Sequence, residues 1–183
     1  MDPGDEIVMI VDERNLPIGA EKRSNMRLMK RFHRAVYILV FNSRGELFRH
    51  KRTATKDIYP GYYDVAAGGV VLAHESVEAA AARELEEELG IKDVVLSSLF
   101  DFYYEDAGNR VFGKAYACMF DGALRLQKEE IESGGFSSIG EIFSSMDNEP
   151  YTPDGIYVLK RYLEEKTARP VSRPDTLSSP PDY

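Results

Sequence analysis

The apolar positions of the chain fall into strand-like runs separated by turns. The run "AVYILVFN" (35–42) is apolar throughout and rich in β-branched and aromatic residues, which is typical of a central strand. After the turn "SRGE", "LFRHKR" (47–52) is predicted to be its hairpin partner. Two more strands are predicted at 94–105 and 111–122, on either side of a turn at 106–109.

The beginning and end of the chain add a hairpin, three helices and a tail. A hairpin is predicted at about 6–23, and helices are predicted at 24–31 with Ser24 as N-cap, 139–146 and 154–167. The segment 168–183, "ARPVSRPDTLSSPPDY", is rich in proline and serine and has too few apolar residues to form a core. We therefore predict one domain at 1–167 and a C-terminal tail at 168–183.

The clearest helix is predicted from Ser76 to Leu89, with Ser76 as its N-cap and Gly90 as its stop. With about 100° between successive residues, the apolar side chains form one stripe that faces the core. Three glutamates, at 84, 87 and 88, form one acidic edge, and Glu88 falls inside the apolar stripe. Glu86 points to the other side.

Clustered carboxylates repel one another, and a half-buried one needs a positive partner. Arg83 can reach Glu87 one turn away and offset part of this charge. A hard divalent cation such as Mg²⁺ or Mn²⁺ would offset more. Taken alone, "RELEEEL" would also suit a solvated acidic face.

The composition narrows the functional classes. The chain carries 23 Lys and Arg against 31 Asp and Glu, a net charge of −8, which argues against a protein that binds nucleic acid polymers. Its one cysteine, Cys118, cannot form an internal disulfide and is expected to be buried. The N-terminus does not resemble a signal peptide, and no apolar stretch approaches the ~18 residues of a membrane span. We therefore expect a cytoplasmic protein that does not bind membranes.

The helix belongs to a longer pattern. Its fixed positions are Gly69, Glu75, Arg83, Glu84, Leu85, Glu87, Glu88, Gly90 and Ile91. This spacing matches every position of the Nudix box, so the chain resembles the Nudix hydrolase superfamily over these 23 residues and, more loosely, from about Ile7 to Leu163.

This resemblance implies an α/β fold, an α/β/α sandwich with a mixed central sheet and a loop-helix-loop catalytic motif. It implies metal-dependent hydrolysis of a pyrophosphate bond in a small-molecule diphosphate, with Mg²⁺, or Mn²⁺ in its place. The metal ligands would be Glu84, Glu87, Glu88 and the carbonyl of Gly69, and one of the first two glutamates would also orient the attacking water.

The same resemblance assigns roles to residues around the ligands. Arg83 and Glu75 would support the motif, and Glu86 would be dispensable. A further carboxylate often comes from outside the box as general base. "QKEEIESGGFSS" (127–138) offers Glu130 for this role, with Glu129 beside it and a solvated charged turn as the alternative.

A second resemblance concerns the region before the box. "FHRAVYILVFNSRGELFRHKRTATKDIYPGYYD" (32–64) is similar to isopentenyl-diphosphate isomerases, which share the Nudix fold. The alignment puts Arg52 and Lys56 where the isomerases hold the substrate diphosphate. However, Gly68 replaces the isomerase's cysteine and Val70 replaces one of its metal-binding histidines.

His33 matches another of the isomerase's metal histidines, although a lone histidine at a strand start is more often structural. We expect His50 and His74 to lie at surface or loop positions. A hydrolase is therefore favoured over an isomerase-like activity or a non-catalytic ligand-binding module. A homodimer, through the N-terminal hairpin or the tail, remains open.

Overall fold

The computed structural model describes residues 3–168. Within them, the chain forms a short 3₁₀ turn at Pro3–Asp5, eight strands and four helices. The strands are β1 (Ile7–Val11), β2 (Pro17–Lys22), β3 (His33–Phe41), β4 (Leu47–Arg52), β5 (Tyr63–Asp64), β6 (Ser97–Glu105), β7 (Arg110–Met119) and β8 (Ile131–Ser137). The helices are α1 (Arg23–Leu28), α2 (Val77–Leu89), α3 (Ile139–Ser145) and α4 (Pro153–Ala168).

All eight strands belong to one mixed sheet with β3 at its centre. The order β2-β1-β3-β4-β5 forms one path, while β7 joins β3 to β6, and β8 pairs with β4. β3 and β7 are parallel, in register from His33↔Val111 to Phe41↔Met119. The other named pairings are antiparallel. The parallel pair is possible because the long segment between them contains α2, which crosses one face of the sheet.

Alternate residues of β3 enter two separate cores, because side chains of a strand point to opposite faces. Val36, Ile38 and Val40 pack in the core that contains the apolar stripe of α2. Leu39 belongs to the core on the other face, with side chains of α3 and α4. Helices therefore cover both faces of the sheet, and the predicted Nudix α/β/α architecture is confirmed.

Two strands were missed from the sequence. β8 runs through "IESGGFS", which the sequence suggested was a charged loop, and its two glycines weaken any local strand signal. Its pairing with β4 is set by tertiary contact: a Cβ on Gly134 would come 2.6 Å from the ring of Phe48. The two-residue β5 likewise forms through tertiary pairing, with β4 on one side and with Tyr151 on the other.

Four other sequence expectations can be compared with the structure. The surface assignment of His50 was wrong, because it is buried in β4 beside Phe48. The first helix begins at Arg23 and has no side-chain cap, so Ser24 is not its N-cap. The predicted tail lies outside the described residues except for Ala168, which ends α4. The expected burial of Cys118 was correct.

Candidate functional site

Between its pairings with β1 and β4, strand β3 is hydrogen-bonded to the glycine segment that precedes α2. The N–H of Val36 donates to the carbonyl of Gly69 at 2.9 Å, and Ile38 donates to Ala67 at 2.7 Å. Gly68 has φ +145°, and a Cβ on it would lie 2.0 Å from the carbonyl oxygen of Val36. Only glycine fits this position, since both the backbone angle and the close approach exclude a side chain.

A serine N-cap and a glycine C-cap set the ends of α2, and its apolar stripe packs the helix over this segment. The hydroxyl of Ser76 accepts from the N–H of Ala79 at 3.1 Å, and Gly90 ends the helix in the left-handed conformation. Glu88 is buried, as its position inside the apolar stripe predicted, and Glu84, which the periodicity placed on the acidic edge outside the stripe, is buried as well. By contrast, the Glu87 and Glu86 side chains are 50% and 48% exposed.

The buried glutamates meet the glycine backbone. The N–H of Gly68 donates to Oε2 of Glu88 at 3.0 Å. Gly69 lies against Glu84, because a Cβ there would come 2.4 Å from Oε1 of the carboxylate. The motif therefore brings two carboxylates and the turn of backbone that precedes them into direct contact.

Arg83 holds the motif together. Its guanidinium pairs with Glu75 at 2.7 Å, and its Nη1 donates to Glu84 at 2.8 Å and Glu87 at 2.9 Å. Glu75 also accepts from the N–H of Leu72 at 2.8 Å, which fixes the loop ahead of the helix. The positions predicted as supports thus connect the loop to the acidic edge.

Burial leaves the negative charges of the Glu84 and Glu88 carboxylates poorly compensated. The pKa of Glu84 is raised to about 7, mainly by burial, against the opposing effect of Arg83. The pKa of Glu88 is raised to about 8 by burial and by the charge of Glu84. Both carboxyls thus bind protons up to near-neutral pH, which indicates that the site favours added positive charge.

A second set of residues lines the same cleft opposite α2. Lys56 forms a 2.5 Å ion pair with Glu130, both largely buried. Burial opposes ionisation of Glu130, but Lys56 lowers the pKa of its carboxyl below the usual value. Glu129 is exposed. The structure therefore brings Glu130 into the cleft with the box glutamates, as the sequence suggested, and leaves Glu129 outside.

Arg52 lies deeper in the cleft. Its Nη2 donates to the carbonyl of Ile58 at 3.1 Å, and its Nη1 lies 3.5 Å from Asp64. Its Nε is buried and has no hydrogen-bond partner within residues 3–168. A buried guanidinium donor of this kind is suited to an oxyanion ligand.

The donor chemistry of the site fits a divalent cation of the Mg²⁺ type. The oxygens available are those of three glutamates and a peptide carbonyl, which are ligands for hard cations. In the described part of the chain, no three acidic, histidine or cysteine side chains converge closely enough to form a ready-made ligand group. Arg83 holds two of the glutamates, and Gly69 already accepts one hydrogen bond in the sheet.

Several cleft residues were not identified from the sequence. Asp64 and Asp154 are buried in its floor, and Tyr37 donates to Asp154 at 2.8 Å. Arg23 and Arg27 line the wall formed by α1. Of these residues, only Arg27 falls within the helix predicted at 24–31, and its i, i+4 relation to Arg23 emerges only with the observed start of α1 at Arg23.

His33 is buried at the start of β3 and also lines the cleft. Its Nδ1 lies 3.0 Å from the carbonyl oxygen of Arg31, and its Nε2 lies 3.4 Å from Arg27. Burial and Arg27 lower its pKa to about 3. The histidine is therefore neutral at pH 7 and has an arginine as its neighbour.

The fold and the site together define a Nudix domain, and comparison with known proteins agrees. The NUDIX domain family model matches residues 31–162. The chain is 42% identical to the Nudix hydrolase PA4841 of Pseudomonas aeruginosa over 159 residues, covering 87% of this chain and 94% of that protein. It is 38% identical to the Nudix hydrolase YfcD of Escherichia coli, with 87% of each covered.

A crystal structure of DR0079 from Deinococcus radiodurans superposes with a TM-score of 0.76 at 25% identity, covering 85% of this chain and 98% of that one. The chain belongs to the Nudix hydrolase family and is a Nudix pyrophosphohydrolase. Within residues 3–168, no helix has the length and apolarity of a membrane span.

Proposed function

We propose that this chain hydrolyses the pyrophosphate bond of a small-molecule diphosphate with the help of Mg²⁺. Glu84, Glu87, Glu88 and the carbonyl of Gly69 hold the metal in this proposal. A divalent cation held there neutralises phosphate oxygens and makes water a better nucleophile at neutral pH. The observation that carries the proposal is the pair of buried carboxylates in contact with the Gly68–Gly69 backbone.

The chain's own residues supply binding and proton transfer. Arg52 and Lys56 bind phosphate oxygens, the first through its buried Nε, which has no partner within residues 3–168, and the second through its ammonium group. Glu130, held by Lys56 next to the box glutamates, accepts the proton of the attacking water. Arg83 and Glu75 position the motif through the ion pairs described above.

The isomerase-like alternative is disfavoured by Gly68. The position aligned with the isomerase's cysteine has no room for any side chain, because a Cβ would overlap the carbonyl of Val36. The second aligned position is Val70, which is buried in the core beside β1 and α1. We therefore expect no interconversion of isoprenoid diphosphate isomers.

A substrate panel tests the proposal. The chain would be incubated with dinucleotides, sugar nucleotides and isoprenoid diphosphates, with Mg²⁺ or with excess EDTA, and the phosphate, nucleoside monophosphate and isomer products measured. We expect Mg²⁺-dependent release of phosphate or monophosphate from at least one class. Binding without turnover would instead support a non-catalytic module, and rearrangement without hydrolysis would support an isomerase.

A further inference from the structure

Two arginines of α1 form a cationic wall in the cleft. Arg23 and Arg27 lie one helical turn apart, and their side chains are 11% and 15% exposed. Both donate through Nε to the same oxygen of Asp57, each at 3.1 Å. Asp57 follows Lys56 directly in the chain, so one loop connects the arginine pair to the cation that holds Glu130.

The charge of Arg27 is the less compensated of the two. Arg23 has a second carboxylate, that of Glu6, at 2.9 Å. Arg27 instead donates through Nη1 to the amide oxygen of Asn109 at 3.0 Å and lies beside the neutral ring of His33. A buried charge is stable only when it is well paired. Because Arg27 shares the carboxylate of Asp57 with Arg23, it is suited to binding an added anion.

The hydrogen-bond donors of the Arg27 guanidinium are also only partly used. Its hydrogen bonds to residues within 3–168 use Nε and Nη1, and none of them uses Nη2. With Nε fixed by Asp57 and Nη1 by Asn109, the guanidinium plane is held in one orientation. A fixed guanidinium edge is the group that best matches phosphate oxygens.

Arg27 also lies where the cleft meets a neighbouring groove. Arg23, Arg27, Lys56 and Glu130 line both spaces. The groove continues between α1 and the turn before β8, past the polar side chains of Ser24, Thr55 and Gln127. A ligand that extends from the box glutamates towards α1 therefore meets charged and hydroxyl groups, which suits a phosphorylated sugar better than a hydrocarbon chain.

We propose that Arg27, oriented by Asp57 and Asn109, binds a phosphate monoester of the substrate that is separate from the scissile diphosphate. The preferred substrates are then small-molecule diphosphates whose sugar carries one further phosphate group as a monoester. This inference rests on the proposed hydrolysis for its meaning in catalysis, but the binding site can be tested without turnover.

Calorimetric titration with adenosine 2′,5′-bisphosphate and with AMP, both in buffer containing Mg²⁺, isolates the extra phosphate. Neither probe contains a phosphoanhydride, so neither can be hydrolysed by the proposed reaction. We expect the bisphosphate to bind the unmodified chain about 10-fold more tightly than AMP, as for one charge-assisted contact. Equal affinities, or no binding of either probe, would overturn the inference.

The variants assign the effect to Arg27. Arg27→Gln should reduce the preference to less than about 3-fold, whereas Arg31→Gln should retain it. Arg31 is a matched control because it is half-exposed, pairs with Glu21 at 3.5 Å and does not line the cleft. If Arg27→Gln does not fold, Arg27→Lys retains the positive charge but loses the planar fork, and it should retain only part of the preference. An unchanged ratio in a folded Arg27 variant would show a structural role only.

Initial rates then test the sugar phosphate in intact substrates. NADPH and NADH, and likewise coenzyme A and dephospho-coenzyme A, differ by one phosphate monoester on a ribose. We expect a higher kcat/KM for the phosphate-bearing member of at least one pair, and loss of this preference in Arg27→Gln. Bisphosphate preference without hydrolysis of any compound would refute the proposed function alone. Hydrolysis without phosphate preference would refute the inference alone.

Discussion

Gly69 lies so close to Glu84 that a Cβ on the glycine would come 2.4 Å from Oε1 of the carboxylate. The neighbouring Gly68 meets backbone instead, since its Cβ would lie 2.0 Å from the carbonyl oxygen of Val36. A side-chain carboxylate can rotate away from a new methyl group, but a carbonyl within a sheet cannot. The two glycines are therefore expected to respond differently to the same substitution.

Gly68→Ala should lower the free energy of unfolding by about 1–3 kcal/mol or more, because the new Cβ meets fixed backbone at a positive φ. Gly69→Ala should retain most of the stability but lose activity, because it displaces Glu84. Gly140→Ala, in α3, is the control, since its Cβ would meet no atom of residues 3–168 within 4 Å, and it should be neutral or stabilising. Urea unfolding and initial rates measure the two effects. Equal stability losses at positions 68 and 69 would contradict this account.

Glu87→Gln should lower kcat by at least ~100-fold, as commonly occurs when a metal ligand is lost. Stability should change little, because the side chain is half-exposed and has one ion pair, with Arg83. Glu86→Gln, at the preceding position of the same helix, is the matched control. Its partner is Lys92 at 2.5 Å, on the solvent side, and its turnover should be near normal. A comparable loss at position 86 would mean that the catalytic face of α2 is misassigned.

Lys56→Met should raise KM for the substrate by about 10-fold or more, because a charge-assisted contact to phosphate is lost. It also leaves Glu130 without its cation beside two other buried carboxylates. Lys51→Met removes a similar ion pair, with Glu132 at 3.0 Å, from the exposed side of β4. Steady-state kinetics should show an unchanged KM in this control. Equal KM values for both variants would argue against a phosphate contact at Lys56.

The metal-free chain should become less stable as the pH rises from about 6.5 to about 9. The folded pKa values of Glu84 and Glu88, about 7 and about 8, lie above the value of 4.5 for a free glutamate. Within this range the folded chain retains protons that the unfolded chain has released, so the free energy of unfolding falls with pH. His33 and His50 have lowered pKa values, so they make the free energy of unfolding rise with pH. This opposite effect ends near pH 6.5, the pKa of a free histidine.

Urea midpoints in EDTA at about pH 6.5, 7.5 and 8.5 measure this slope. Glu88→Gln should flatten it, because the amide does not ionise, and Mg²⁺ should oppose it by compensating the carboxylates. Lys51→Met, which leaves both buried carboxyls unchanged, should keep the slope of the unmodified chain. A midpoint that stays constant over this range would contradict the raised pKa values.

Much of the site follows from local sequence. Helical periodicity alone places Glu88 on the buried side of α2 and Glu86 on the exposed side, and the N-cap Ser76 and the stop Gly90 fix its ends. The burial of Glu84 depends instead on its contact with Gly69. The continuous apolar run of β3 likewise indicates a central strand, and the structure covers it on both faces. These features depend on residues within one or two turns of each other, so spacing is sufficient to predict them.

Only the tertiary structure decides what faces α2. Lys56 meets Glu130 across 74 residues of sequence, and Arg27 meets Asn109 across 82. The strand β8 and the burial of His50 and Arg52 likewise depend on which segments pack against β4. No local pattern contains this information, because a contact between distant residues is set by the packing of the whole sheet and not by the propensities of either segment. The sequence therefore determined the catalytic motif, and the fold determined which cations surround it.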